Sequence, residues 1–416
     1  MNINELSQDE LQTKHHELQT RYDDIKAAKL NLDLTRGKPA AAQLDLANEL
    51  DGILAGFYLL QDGTDVRNYG NILGIPEARE LGAALLGVDS NNVLVGGNSS
   101  LTLMYNYVVS MMQRWESDTV KFLCPVPGYD RHFTICEQLG IEMINVALND
   151  DGPDMDEIFS LVENDETIKG IWCVPMYSNP TGHTYSDQTV KRFAKLGKVS
   201  GPDFRIMWDN AYTAHHLGDT PDQLANIMSS AIEEQTTDSV VLLASTSKVT
   251  FAGAGISFLG ASNANLTDFE RYLSAQSIGF DKVNQLRHVR FLKDMNGVNA
   301  HMAKHKDIIK PKFTLVEEKL ESSLGSKGIA TWTKPNGGYF VSLDIAFGLA
   351  DTVIKLSGDA GVKLTPAGAT FPYGDDPNNN NIRIAPTYPP MDELAQAMDV
   401  FVLCLELACV THLLNR

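Results

Sequence analysis

Short apolar runs closed by turn formers alternate along this chain with longer stretches of helical period. Val93-Leu94-Val95, Val120 to Cys124, Ile141 to Leu148, Ile168 to Val174, Arg205 to Trp208, Ser239 to Ala244 and Ile256 to Leu259 each read as a strand. They are short, rich in β-branched or aromatic residues and bounded by Gly, Pro, Asn or Asp. Residues 1 to 30 carry Leu6, Leu11, Leu18, Tyr22, Ile25 and Leu30 among charges, the mark of an amphipathic helix. Helical patterns also run from Leu101 to about Trp115, from about Asn284 onward, and from Met391 to Leu414. Alternation of this kind predicts an α/β protein with a doubly wound, mostly parallel sheet. A smaller α/β unit follows, with a strand from Tyr339 to Leu343, a helical stretch near Asp351 and a strand from Asn381 to Ala385. The expected division is an N-terminal segment, 1–50, that joins a C-terminal small domain, 301–416, and a large domain, 51–300. No internal repeat is visible.

A length of 416 residues leaves room for two domains and a large core. No apolar run reads as long enough to span a membrane. The start, Met1 to Leu6, has neither the basic flank nor the apolar centre of a secretion signal. A cytoplasmic protein is therefore expected. Lys and Arg number 34 against 53 Asp and Glu, a formal charge of -19. That balance argues against nucleic acid or an anionic membrane as partner, and an anionic substrate needs a locally positive pocket. Cys124, Cys136, Cys173, Cys404 and Cys409 show no zinc or redox-pair spacing. Buried free thiols in a reducing compartment, and no metal site, are expected.

The strand ends carry the chemistry. Ser245-Thr246-Ser247-Lys248 follows an apolar strand, so Lys248 sits where open α/β sheets place their ligands. An amine there suits a Schiff base with a carbonyl cofactor; a lone Ser-x-x-Lys also fits a solvated loop lysine. Gly96-Gly97-Asn98-Ser99-Ser100 leads from a strand into a helix, which makes a phosphate cradle or an ordinary βα turn. Other strands end in Gly128-Tyr129-Asp130-Arg131-His132, Asn179-Pro180-Thr181-Gly182 and Asp209-Asn210-Ala211-Tyr212. Ser99, Tyr129, Asn179, Asp209, Tyr212 and Lys248 thus gather at one sheet edge. Earlier in the chain, Arg36 and Lys38 flank Gly37 in a stretch that is either a surface turn or a backbone segment over an anion.

Together these residues resemble the fold-type I aminotransferases, which depend on pyridoxal 5'-phosphate, from about Leu34 to the last helix. The most specific matches are Asn179-Pro180-Thr181-Gly182, Asp209-x-x-Tyr212, Ser245-x-x-Lys248 and the late Arg383. Leu32 to Pro39 and Asn68 to Leu81 look closest to a bacterial aspartate aminotransferase subgroup related to MocR-type effector domains. The resemblance implies that Lys248 forms the Schiff base and then moves a proton as general acid/base. Asp209 would keep the pyridine nitrogen protonated, although an Asp after a strand also caps helices. Tyr212 would bond the 3-oxygen, with Asn179 sharing that task. Tyr129 would stack on the ring, and His132 would support Asp209 or serve packing alone. Ser99, Ser100 and Ser245 would hold the phosphate, and Tyr69 would reach the phosphate of a neighbouring subunit, implying a homodimer with shared sites. Arg383 would grip the substrate α-carboxylate, and Gly37 would let the backbone close over it.

One departure stands out. The family carries an arginine for the phosphate between glycines after the lysine; here Gly255-Ile256-Ser257-Phe258-Leu259-Gly260 holds no cation. The expected reaction moves the amino group of L-aspartate to 2-oxoglutarate, with Arg36, Lys38, Lys282, Arg287 and Arg290 all open as readers of the side-chain carboxylate. Transamination of another amino acid, or a lyase or decarboxylase reaction on the same fold, is the alternative. A regulatory, DNA-linked module is disfavoured by the acidic charge and by only about 30 residues before the matched region. A nicotinamide site is disfavoured because Gly96-Gly97-Asn98 lacks the G-x-G-x-x-G spacing.

Overall fold

The computed structural model describes residues 2–416. Its main sheet has eight strands: β1 (Val93–Val95), β2 (Lys121–Val126), β3 (Glu142–Asn149), β4 (Gly152–Pro153), β5 (Ile168–Cys173), β6 (Arg205–Asp209), β7 (Val240–Ser245) and β8 (Ser257–Ala261). Their spatial order is β1-β8-β7-β6-β5-β2-β3-β4. The run β7-β6-β5-β2-β3 is parallel, while β8 is antiparallel to both neighbours and β4 pairs antiparallel at the far edge. This is the expected α/β fold with a mostly parallel sheet.

Helices cover both faces, and the strands show it by alternation. In β7, Val240, Leu242 and Ala244 enter one buried cluster, whereas Val241 and Leu243 enter the cluster on the opposite face. One charge lies inside the sheet. Arg205 is buried, but its guanidinium donates to the carbonyls of Pro202 and Phe204, to Asn265 and to the Tyr107 hydroxyl. Its charge is thereby compensated without a carboxylate.

A third cluster joins the two ends of the chain. It takes in Leu11, Leu18 and Leu34, the antiparallel strands Ala330–Trp332, Val341–Ile345 and Asn381–Ile384, and most of the closing helix Met391–Leu414. Leu32–Asp33 pairs in parallel with Val362–Lys363, which ties the N-terminal segment to this unit. The helix Gln8–Ala27 starts with a capping box between Ser7 and Glu10. The long helix Met295–Leu324 spans two cores: Val298 and Met302 belong to a cluster of the large sheet, Ile309 to Leu324 to the terminal one.

Two expectations change. The helix Met391–Leu414 is long and apolar enough to cross a membrane, with a mean hydropathy of 1.9 over its best window, contrary to the sequence reading. Here 72% of that window is buried within the protein, so its hydrophobic circumference meets protein on most sides. The strand expected from Tyr339 begins at Val341 instead. Gly337 and Gly338 press on Tyr177, and Gly338 adopts a φ of +84°, which delays entry into the sheet.

The helix Pro76–Leu86 lies against β8 through Gly82, where a Cβ would come 2.4 Å from the Phe258 ring and 3.0 Å from Val93. Gly82→Ala should gain about 1 kcal/mol of helix propensity and lose roughly 1–3 kcal/mol to overpacking. The expected net result is a lower denaturant midpoint; an unchanged or higher midpoint would show that Phe258 yields freely.

Candidate active site

Every group assigned to the sheet edge sits where a strand stops. Asp209 is the last residue of β6, and a turn rather than a helix follows it, so it caps nothing. Its side chain is 3% exposed. Oδ2 lies 3.2 Å from His132 Nε2, and Oδ1 has no partner among the described residues. His132 comes from the first turn of the helix Asp130–Leu139 and stacks on Trp172 with centroids 4.4 Å apart and planes 10° from parallel. Tyr129 meets the His132 ring edge-on at 4.9 Å. A buried carboxylate oxygen with no donor is costly, and a cationic N–H placed there would satisfy it.

Lys248 lies one turn beyond β7, partly buried, with Nζ 5.0 Å from the Tyr212 ring centre and 5.9 Å from that of Tyr339. Burial lowers its pKa below the usual lysine value, and the Asp209 carboxylate opposes that shift. Burial raises the pKa of Tyr212 well above the ordinary phenol value, and nearby Tyr129 and Asp209 reinforce it, so the hydroxyl keeps its proton. His215 packs edge-on to Tyr212 and Tyr339 and is pushed down to about 3 by burial and by the positive charge of Lys248.

The Gly96–Ser100 turn closes on the Lys248 loop. Ser247 donates to the Asn98 carbonyl at 2.9 Å, Ser245 Oγ lies 3.1 Å from Ser247 Oγ, and Ser257 donates to the Gly97 carbonyl at 2.8 Å. Ser99 is the N-cap of the helix Ser100–Met112, yet its side chain makes no cap hydrogen bond. The first amides of that helix are therefore open to an anion. The loop leading into the stretch that lacks an arginine is held by side-chain amides: Asn98 donates to Gly253 O, and Asn284 to Ala254 O and Gly255 O. Ile256, at the start of that stretch, is core.

Arg383 arrives from the other unit on the strand Asn381–Ile384 and is 6% exposed. Nη1 donates to Asp130 at 2.9 Å and to Asn179 at 3.3 Å. Nη2 makes one long contact, 3.5 Å to Thr365, and Nε has no partner among the described residues. The Nε/Nη2 edge is thus the open one, the geometry a carboxylate takes with two parallel bonds. Phe340 lies under the guanidinium at 4.9 Å. Gly37 presses on the same ring, and a Cβ there would stand 2.5 Å from it. The Gly37 segment is pinned by Thr365 to Thr35 O and by Thr387 to Lys38 O.

Two of the expected residues are exposed and make no hydrogen bond or ion pair with this cluster among the described residues. Tyr69 is 85% exposed, beside a cleft of about 490 Å³ lined by residues 66–70 and 276–283. Arg36 is exposed and makes no ion pair with a described residue. Of the other cations weighed, Lys282 donates to Gly70 O, Lys38 lies 3.8 Å over Tyr388, Arg287 is half-buried and Arg290 exposed. Asp130, Thr365 and Phe340 were not expected at the site. No local pattern marks them, because tertiary packing alone brings them to Arg383.

The geometry agrees with comparisons to known proteins. A family model described as aspartate amino-transferase matches residues 6–416. A putative aminotransferase of Mycolicibacterium smegmatis is 47% identical over 100% of both chains. An aspartate aminotransferase of Corynebacterium glutamicum is 44% identical over 96% of this chain and 95% of the relative. The crystal structure of an aspartate transaminase from the same organism superposes with a TM-score of 0.95, at 42% identity and covering 99% of each chain. A full-length match of sequence and fold, on top of a lysine, an aspartate and an arginine converging at the sheet edge, places this chain in the aspartate aminotransferase family, as an aminotransferase of fold type I.

Proposed function

We propose that the enzyme uses pyridoxal 5'-phosphate to move the amino group of L-aspartate to 2-oxoglutarate, yielding oxaloacetate and L-glutamate by a ping-pong mechanism. The observation that carries this reading is a pair of open, buried ionic groups around Tyr212: Asp209 Oδ1 and the Nε/Nη2 edge of Arg383. One calls for a cationic N–H, the other for a carboxylate. The name of the 44% identical relative supports aspartate as the amino acid.

When bound, the cofactor supplies an aldehyde that takes up the amino group and a ring that spreads the electrons left on the substrate Cα. Asp209 Oδ1 would hold the ring N–H, with His132 fixing Oδ2. Tyr212, kept protonated by its setting, and Asn179 would donate to the ring hydroxyl oxygen. Tyr129 would cover the ring face. Ser99, Ser100, Ser245 and the open helix amides would bind the phosphate. Lys248 Nζ would attach the cofactor and, once released, carry the proton to and from Cα, a task that a lowered amine pKa favours. Arg383 would take the α-carboxylate on its Nε/Nη2 edge, while Asp130 holds Nη1, and Gly37 would close over it with Arg36 nearby.

The same reading makes the enzyme a cytoplasmic homodimer in which Tyr69, exposed in a glycine-flanked turn, completes the partner's phosphate site. It also divides the chain at about residues 50 and 300, as expected from sequence. The shared burial of the two chain ends in one cluster supports that division.

With pyridoxal 5'-phosphate added, the protein should show a visible band that L-aspartate bleaches and 2-oxoglutarate restores, and Lys248→Ala should abolish it. A band indifferent to aspartate would move the assignment to another amino acid, and turnover that continues without a keto acid would indicate a lyase or decarboxylase. Arg383→Lys keeps the charge but loses the two-bond edge, so kcat/KM should fall by about 10²–10³-fold, roughly 3–4 kcal/mol. Near wild-type kcat/KM in that variant would remove Arg383 from the carboxylate site. Cofactor capture by the apo-enzyme needs the neutral amine of Lys248. Its rate should therefore rise with pH through a midpoint below the ordinary lysine value of 10.5. A midpoint at or above that value would contradict the effect of burial.

A further inference from the structure

Beneath Lys248, four buried polar side chains hydrogen-bond to one another or to the backbone of its turn. Gln43 and His305 are 0% exposed, Tyr339 is 0% and His301 is 6%. Gln43 Oε1 accepts from the Ala40 amide at 3.0 Å, which fixes the orientation of its side chain. Gln43 Nε2 then faces Tyr339 Oη at 2.9 Å and His305 Nδ1 at 3.0 Å, one hydrogen for each. Tyr339 donates its own proton to the Lys248 carbonyl at 3.5 Å. On the other branch, His305 Nε2 lies 3.1 Å from His301 Nε2, which lies 2.7 Å from the Val249 carbonyl.

The proton positions follow from these partners. A carbonyl only accepts, so His301 Nε2 carries a proton and gives it to Val249 O. Gln43 Nε2 only donates, so His305 Nδ1 is unprotonated and its proton sits on Nε2, where it is given to the same Val249 carbonyl rather than to the protonated Nε2 of His301. Both imidazoles are neutral, in keeping with burial, which lowers the pKa of His301 and pushes that of His305 down to about 4. Thr246 O, earlier in the same turn, accepts from the amides of Val249 and Thr250. Each of these three carbonyls in the turn that bears Lys248 is therefore bonded.

The four donors come from distant parts of the chain. Gln43 lies in the short helix Ala41–Asp45, just after the Gly37 segment that packs on Phe340. Tyr339 lies just before the strand Val341–Ile345, and the histidines sit on the helix that spans both cores. We propose that Gln43, His301, His305 and Tyr339 act as positioning residues, a bracket that sets the backbone of Lys248 and Val249 according to the seating of the Gly37 segment. This rests on the reading of Lys248 as the cofactor-binding lysine. The bracket makes the pose of the amine depend on contacts from both units, so the lysine is in place only when they are docked.

The test titrates the visible band of the cofactor-loaded enzyme against pH, alongside kcat, KM and thermal midpoint. Asp209, His215, Tyr212 and Tyr339 face the amine, and the band reports it directly. Tyr339→Phe removes a single hydroxyl. His305→Leu cuts the other branch, and His305→Gln restores one acceptor and one donor. In Tyr339→Phe and His305→Leu, the band's midpoint should move by about 0.5–1 pH unit and kcat should fall about tenfold, with KM for the amino acid within about twofold. His305→Gln should return both toward wild type. A lowered thermal midpoint with an unmoved band and kcat would mean packing alone and overturn the proposal. So would a shift in Tyr339→Phe without one in a folded His305→Leu. If His305→Leu does not fold, Tyr339→Phe and His305→Gln decide. A wild-type protein with no cofactor band would instead sink the reading of Lys248.

Discussion

A carboxylate buried at the end of a central strand needs something to hold its charge, and much of this site answers that need. Asp209 stands on β6, between β5 and β7, at 3% exposure. An isolated charge so placed costs several kcal/mol. His132 meets one oxygen, and Trp172 fixes the imidazole plane by stacking, so the ring cannot turn away. That arrangement requires β2 and β5 to lie side by side, since His132 follows β2 and Trp172 belongs to β5. The other oxygen stays open toward the same edge as Lys248. Sheet order, rather than any one contact, therefore decides that the open acceptor and the amine share a cleft.

The cation of the site follows the opposite logic. Arg383 enters from a three-stranded sheet of the terminal unit, and Asp130 and Asn179, from segments that follow strands of the large sheet, accept from it. Its end-on donor is occupied while its side-on edge is left free. A guanidinium held this way is oriented before any ligand arrives, which lowers the entropy of binding a carboxylate. The bonds from Arg383 to Asp130 and Asn179 are also among the polar links between the two units. On the proposed reading, substrate recognition and the docking of those units use the same residue.

How much of this was legible depended on sequence separation. Strands were readable because a doubly wound sheet demands short apolar runs, and their ends placed Ser99, Asn179, Asp209 and Lys248 at one edge. Asp130 and Gln43 were not readable as site residues: their partners Arg383 and His305 lie 253 and 262 residues away, and no local periodicity encodes such a pairing. Burial of Arg383 was likewise invisible, since a strand arginine in a small sheet looks the same whether it faces water or Asp130. The closing helix misled for a different reason. Hydropathy reports that Met391–Leu414 avoids water, and a protein core satisfies that as well as a lipid bilayer does. The missing phosphate arginine was legible as an absence, and the stretch is instead core, with Ile256 buried.

The charge state of Lys248 is the point where these strands of structure meet. Burial disfavours its ammonium, and Asp209 favours it. The groups beneath it could tip that balance, because a second cation within the same low-dielectric volume would repel the ammonium strongly. Both nearby histidines are instead kept neutral, His215 at about 3 and His305 at about 4, each by burial first. Their neutrality is not incidental to the hydrogen-bond pattern. Protonating His305 Nδ1 would set two donors against each other at Gln43, and breaking that contact would free Tyr339 from its fixed place under the Lys248 carbonyl. A proton gained by the histidine pair would thus disturb the lysine twice, by charge and by position. Across the pH range in which His305 stays neutral, the amine answers to Asp209 and its own burial, and the sheet edge keeps one titrating base rather than three coupled ones.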